Sequence, residues 1–352
     1  MLQSKSFNQL KESVSFCTRL IYIWIKEKDM IQIPENIAEL KSYKPGKPLE
    51  QIIKELQLKE VAVLWNNENN FGPSPKAMNH VTTSLSNSHY YPDPVCTELR
   101  NLLATKWNRK FEEVAVGNGS ESIFNNLFNA FFENGAELLT CSGTFVAVYI
   151  WAKANNVKVQ TVPLAESFGF DLDALYNAIN DKTKAIYLSN PNNPTGSMIS
   201  EKDLVAFIQK VPNDILIIVD EAYYEFAHDL SSEFPNSASY DYENVLTLRT
   251  FSKAYGIAAI RIGYAIGHEK LIEAIMKVKL TFEPSNLAQA AGIGALSDAE
   301  YLKNTIENNS AEIKKYYQTF EDLNLNYTPS FGNFVMVNFK NEETVHFYFE
   351  EL

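Results

Sequence analysis

Cysteine is scarce: Cys17, Cys96 and Cys141 stand far apart, with no CxxC pair. That excludes a disulfide framework and a cysteine-rich zinc site, and free thiols suit a reducing, cytoplasmic setting. The histidines His80, His89, His228, His268 and His346 are scattered singly, without the helical pair a zinc peptidase needs, so no metal site is read. Positive charge is in deficit: 31 Lys and Arg against 43 Asp and Glu leave a formal net charge of -12. A polyanion would be repelled, which argues against nucleic acid as a partner. Long apolar runs are missing too. Ile21–Ile25 is flanked by Arg19 and Lys26, whereas a membrane span needs about 20 apolar residues, and no small-residue cleavage site follows it. The sequence has no internal repeat, no low-complexity segment and no GxxxxGK[ST] phosphate loop.

What remains is an ordinary folded composition, 45% hydrophobic and 21% charged, over 352 residues, a length that suggests about two domains. From about residue 111, short apolar runs alternate with longer mixed-period segments, the pattern of βαβ units and a largely parallel sheet. Seven strands are expected, at Val114–Val116, Glu137–Cys141, Val157–Val162, Ala185–Ser189, Ile215–Val219, Val245–Leu248 and Ile262–Ile266. Ile215–Val219 reads ILIIV, apolar on both faces, as a central strand covered by helices must. Upstream, Asn66–Pro75 is polar and rich in Gly and Pro. Downstream, Asp298–Leu323 is charged and helix-prone and leads to Phe334–Phe339. Both flanks are assigned to a second, smaller domain. Residues 1–29, ahead of Met30, are read as an extension, appended or misassigned, with no role in the fold.

Ligands of parallel sheets bind beyond the carboxyl ends of the strands, so the residues following each run carry the functional reading. After Val114–Val116 comes GNGSES and then a helical pattern, so Gly117–Ser120 deliver free N–H groups at a helix start, an anion cradle. After Ala185–Ser189, the two prolines of NPNNPTG fix the backbone and aim Asn193. After Ile215–Val219, Asp220 stands at the mouth of an apolar strand, where an unpaired carboxylate is costly and calls for a cation. A protonated ring nitrogen or a structural Arg or Lys would both serve. After Val245–Leu248, Thr250, Ser252, Lys253 and Arg261 bring hydroxyls, an amine and a guanidinium to one strand end, a set suited to a phosphate and a carbonyl-trapping amine. Alone, each cluster has a plain structural reading. Together they describe one ligand, pyridoxal 5'-phosphate.

The chain resembles the fold-type I aminotransferases, and within them the histidinol-phosphate aminotransferase family, from about Ile33 onward. The resemblance rests on IPENIAELKSYKPGKPLE, NENNFGPSPKA, HYYPDPVCTELR, GNGSESI, NPNNPTG, VDEAYYEF and TFSKAYGIAAIRIGY, in the family's order. It implies an α/β fold, with a seven-stranded, mostly parallel sheet sandwiched by helices in a large cofactor domain at residues 74–275. A smaller α+β domain would come from an N-terminal arm at 30–73 and a C-terminal part at 276–352. Lys253 would bond the cofactor's aldehyde carbon and carry the proton at the substrate's Cα. Asp220 would hold the ring nitrogen protonated, Asn193 and Tyr223 would bind the ring hydroxyl, and Phe145 would stack on the ring. Gly119, Ser120, Thr250, Ser252 and Arg261 would form the phosphate cup, completed by Tyr91 from the partner of a homodimer, and Glu121 would also bind the cofactor. Tyr43 and Asn67 would face the substrate.

The resemblance implies amino transfer between L-histidinol phosphate and 2-oxoglutarate, with glutamate as the other product, in histidine biosynthesis in the cytoplasm. Asn70 and Phe282–Asn286 depart from the family's pattern, and the sequence ends before the segment in which the family carries two arginines. One of those binds the amino acid's α-carboxylate, so the glutamate half-reaction is the one expected to suffer. An aromatic amino-acid aminotransferase, a relative of the phosphothreonine decarboxylases and a cofactor-binding but silent protein stand as alternatives.

Overall fold

The computed structural model describes residues 31–42, 46–59, 61–339 and 341–351. The chain divides into two units, Met1–Tyr43 and Lys44–Leu352. In the first, residues 31–42 hold one helical turn, α1 (Glu35–Ala38), entered through Pro34. The extension at residues 1–29 lies outside the described residues.

The second unit opens with α2 (Leu49–Leu56) and α3 (Pro75–Ser84), the latter capped by Ser74, which accepts from the Ala77 N–H. After α4 (Thr97–Trp107) the sheet strands begin: β1 (Val114–Gly117), β2 (Glu137–Cys141), β3 (Lys158–Val162), β4 (Thr183–Ser189), β5 (Leu216–Asp220), β6 (Val245–Thr250) and β7 (Gly263–Gly267). Each lies within two residues of its expected bounds. Between them run α5 (Gly119–Phe131), α6 (Ala147–Ala154), α7 (Leu172–Asn177), α8 (Glu201–Lys210) and α9 (Tyr224–Leu230). The chain continues through α10 (Glu269–Val278), α11 (Asn286–Leu296) and α12 (Ala299–Asp322). A hairpin of β8 (Asn326–Thr328) and β9 (Met336–Asn338) and the helix α13 (Glu342–Glu351) follow.

The sheet order is β1-β7-β6-β5-β4-β2-β3. Only β7 runs against its neighbours, β1 and β6; the other pairings are parallel. Strand alternation sorts the core into layers. Ala185, Tyr187, Ile218 and Leu248 pack with Phe124, Val148 and Ile272 of α5, α6 and α10. Ile186, Leu188, Ile217 and Val219 pack on the opposite face with Leu175, Leu204 and Phe207 of α7 and α8. Helices α3, α4 and α11 cover β1 and β7 on that second face. Each such large apolar side chain, once buried, contributes about 1.5–3 kcal/mol. Among the described residues, no helix is long and apolar enough to cross a membrane.

Candidate active site

The carboxyl ends of β1, β4, β5 and β6 open into a cleft of about 1110 Å³. Because β7 is antiparallel, its first residue, Gly263, lies at the same edge, paired with both Gly117 and Thr250. A Cβ on Gly263 would fall 2.3 Å from the Ser120 nitrogen. Glycine here lets the first turn of α5 rest on the sheet edge. That turn leaves its N–H groups without intrahelical acceptors and carries the positive end of the helix dipole. Gly119, at φ +75°, makes the turn, and a Cβ on it would lie 2.7 Å from Arg261 Nη2. Thr250 Oγ1 donates to Ser252 Oγ at 2.9 Å, and the Ser252 N–H donates back to Thr250 Oγ1 at 3.1 Å. Backbone amides, two hydroxyls and a guanidinium thus gather at one corner.

The adjacent acids Asp220 and Glu221 point to opposite fates. Glu221 is fully buried and takes the structural cation: Arg249, on β6, donates to its Oε2 from Nε at 2.9 Å and from Nη2 at 2.5 Å. The Arg249 guanidinium also lies over the Tyr224 and Trp107 rings, at 3.4 and 4.1 Å. Asp220, the last residue of β5, lines the cleft and ion-pairs with no described Arg or Lys. Its Oδ2 accepts from the Tyr187 hydroxyl at 2.8 Å and its Oδ1 from the Ala222 N–H at 3.2 Å. Burial pushes its pKa up to about 6 against those two donors.

Across the cleft, Lys253 Nζ donates to the Asn66 carbonyl at 2.8 Å. Burial holds its ammonium below the ordinary range, helped by Arg261 and opposed by Glu68 and Asp220. The Tyr223 hydroxyl receives amide hydrogens from Asn67 at 3.1 Å and Asn193 at 3.4 Å, and burial pushes it up to about 12. In NPNNPTG only one carboxamide faces the cleft. Asn190 is fully buried, tying the loop to Ile199, and Asn192 likewise ties it to Gly143 and Thr144.

Of the residues expected from sequence, Asn67, Ser120, Glu121, Phe145, Asn193, Asp220, Tyr223, Thr250, Ser252, Lys253 and Arg261 all line this cleft. Gly119 stands behind Arg261 at its wall. Tyr91 is not brought in: it is 78% exposed and stacks on Phe282 at 4.2 Å. Tyr43 lies outside the described residues. The Glu121 carboxylate is turned to the Trp151 indole N–H, at 2.8 Å, and sits 3.9 Å from Arg261. Sequence reasoning missed Tyr187, the Asn66 carbonyl and Phe334, which meets Tyr223 edge-on at 5.1 Å. Tyr187 had a signal: it sits two residues before the end of β4, on the face that Asp220 shares. Among the described residues, no cluster of three or more His, Cys, Asp or Glu could hold a metal.

The family model for aminotransferase class I and II matches residues 59–352. A histidinol-phosphate aminotransferase of Anoxybacillus flavithermus is 36% identical over 311 residues, 88% of this chain and 83% of its own length. One named histidinol-phosphate aminotransferase 2, from Hydrogenovibrio crunogenus, is 39% identical over 310 residues, 87% of this chain and 82% of its own. Among solved structures, the Sinorhizobium meliloti histidinol-phosphate aminotransferase, in complex with pyridoxal-5'-phosphate, superimposes with a TM-score of 0.81 at 29% identity, covering 90% of this chain and 84% of its own. With a family model spanning most of its length and relatives this similar, the chain belongs to the class I and II aminotransferases and, within them, to the histidinol-phosphate aminotransferase family.

Proposed function

We propose that this chain binds pyridoxal 5'-phosphate and transfers an amino group between L-histidinol phosphate and 2-oxoglutarate, in L-histidine biosynthesis in the cytoplasm. The observation that carries the reading is Asp220, a buried carboxylate with hydrogen-bond donors on both oxygens but no described cation, on the floor of a cleft that also holds an amine and an anion cradle. A pyridinium is the cation that this arrangement lacks, and relatives named for the same reaction support the substrate.

The residues present fit the cofactor. When bound, it supplies a protonated ring that accepts the electron pair left on the substrate's Cα. Lys253 is the nucleophile toward its aldehyde carbon and the base that removes and returns the Cα proton, its amine favoured by burial and by Arg261. Asp220 keeps the ring nitrogen protonated. Tyr223 and Asn193 orient the ring hydroxyl, and Phe145 covers one ring face. The α5 N-terminus with Gly119, Ser120 and Glu121, together with Thr250, Ser252 and Arg261, holds the phosphate, Glu121 through its main-chain N–H. Asn67 faces the substrate. The exposure of Tyr91 and Phe282 supports a homodimer in which Tyr91 reaches the partner's phosphate cup. Within the second unit, residues 74–275 form the cofactor domain.

The test is the visible spectrum of the chain loaded with pyridoxal phosphate, before and after L-histidinol phosphate is added without a keto acid. Loss of the lysine-bound band is expected. A band that ignores histidinol phosphate but responds to phenylalanine or tyrosine would reassign the substrate, and absence of any band would overturn the cofactor reading.

A further inference from the structure

Asp220 is held from two directions. Tyr187 lies on β4 and Asp220 ends β5, and the parallel register pairs Tyr187 with Ile218 and Ser189 with Asp220. Tyr187 is therefore a diagonal neighbour of Asp220 on one sheet face, a separation that a long side chain spans. Its ring is 1% exposed and fixed edge-on against Phe124 at 5.3 Å. From that seat its hydroxyl donates to Asp220 Oδ2 at 2.8 Å while the Ala222 N–H reaches Oδ1 at 3.2 Å. Each oxygen has one donor from a rigid element, so the carboxylate cannot rotate without losing one. Each keeps a lone pair for a donor in the cleft.

We propose that Tyr187 is a positioning residue for Asp220, fixing the carboxylate's rotamer and its charge so that it presents an anion to the cofactor's ring nitrogen. The proposal rests on the reading of the cleft given above. Tyr187 does not touch the substrate. It acts through Asp220, because a hydroxyl donor steadies the carboxylate and lowers its appetite for a proton. With that donor gone, the proton shared between Asp220 and the ring nitrogen shifts toward Asp220, and the ring loses positive charge. Its capacity to accept the Cα electron pair falls with it.

A buried tyrosine hydroxyl usually has a partner in any case, so the experiment must separate positioning from mere packing. The holoenzyme is prepared with pyridoxal phosphate labelled with 15N in the ring, and the ring-nitrogen NMR signal is read alongside steady-state kinetics. Wild type is expected in the pyridinium range. In Tyr187→Phe the signal should move toward neutral pyridine and kcat should fall about tenfold or more, with KM little changed. Fluorotyrosine placed at position 187 keeps the ring and the packing but is a stronger donor, so the signal should move the opposite way. That variant carries the test if Tyr187→Phe does not fold. In an Asp220→Asn background, adding Tyr187→Phe should leave the signal where Asp220→Asn put it.

A loaded Tyr187→Phe protein with unchanged signal and unchanged kcat overturns the proposal, as does fluorotyrosine without effect or with an effect of the same sign. A wild-type protein that does not take up pyridoxal phosphate overturns the cofactor reading and this proposal together. Because wild type alone reports that failure, the two are told apart.

Discussion

Replacing Asp220 by Asn should stabilise the protein when no cofactor is bound and weaken it when one is. In the unloaded fold, burial raises the carboxyl to about 6 from an ordinary 3.8. The folded value lies above the unfolded one, so ionisation opposes folding. The penalty is complete above about pH 6, shrinks as the pH falls from about 6 toward 4, and disappears below the unfolded value. At about 1.36 kcal/mol per tenfold change in proton affinity, it amounts to about 3 kcal/mol at pH 8. Asn has the same shape and can still accept from the Ala222 N–H, but Tyr187 loses its charged acceptor, which takes back about 1 kcal/mol. The net gain for Asp220→Asn is about 2 kcal/mol at pH 8, falling under about 1 kcal/mol at pH 5. Urea unfolding at the two pH values, with and without saturating pyridoxal phosphate, measures it. With cofactor the order reverses at pH 8, because the variant cannot pair with the pyridinium and loses the stabilisation that tight binding confers. An unloaded Asp220→Asn protein less stable than wild type at pH 8, or a gap that does not narrow at pH 5, would refute the reasoning.

Glu221, one residue on, should behave in the opposite way: Glu221→Gln leaves Arg249 buried without its counter-charge and should cost about 3–5 kcal/mol in unfolding free energy. Replacing both partners by apolar residues of similar volume should recover much of that loss in the same urea titration. Gly119→Ala should raise the dissociation constant for pyridoxal phosphate about tenfold or more in an absorbance titration, because the left-handed turn becomes strained and the new Cβ displaces the Arg261 guanidinium. Lys253→Ala should abolish the lysine-bound band while retaining cofactor binding through the anion cradle, as equilibrium dialysis would show. In wild type, cofactor affinity should fall as the pH drops through about 6, where Asp220 takes up a proton.

Much of this was legible in the sequence because strand ends and glycine turns carry their own punctuation. The unbroken ILIIV run announced a central strand, and residues just past the runs of β1, β4, β5 and β6 line the cleft. The direction of β7 was not legible from its own residues, since an apolar run looks alike either way. A cue lay beside it: a parallel neighbour is usually reached through an α-helix, and residues 251–262, which join β6 to β7, hold only the 3-10 turn Ala258–Ile260. The division of labour between Arg249 and Arg261 was hidden for a related reason. Both follow apolar stretches, but Arg249 lies inside β6 and turns to Glu221, whereas Arg261 stands in the left-handed region just before β7. Which carboxamide of NPNNPTG faces the ligand likewise depends on hydrogen bonds to residues far away in sequence, such as Thr144.

The pairing of Thr250 with Gly263 across β6 and β7 has an architectural consequence. It closes a loop that leaves the sheet and returns at the same rung, and on that excursion ride Ser252, Lys253 and Arg261. Their mutual spacing is therefore inherited from a ladder of backbone hydrogen bonds, and a slip of one residue in that ladder would misplace all three together. The loop behaves as a cassette with a two-point mount: what must be preserved on transplanting it to another sheet is the rung beneath it and the glycine that lets α5 rest there.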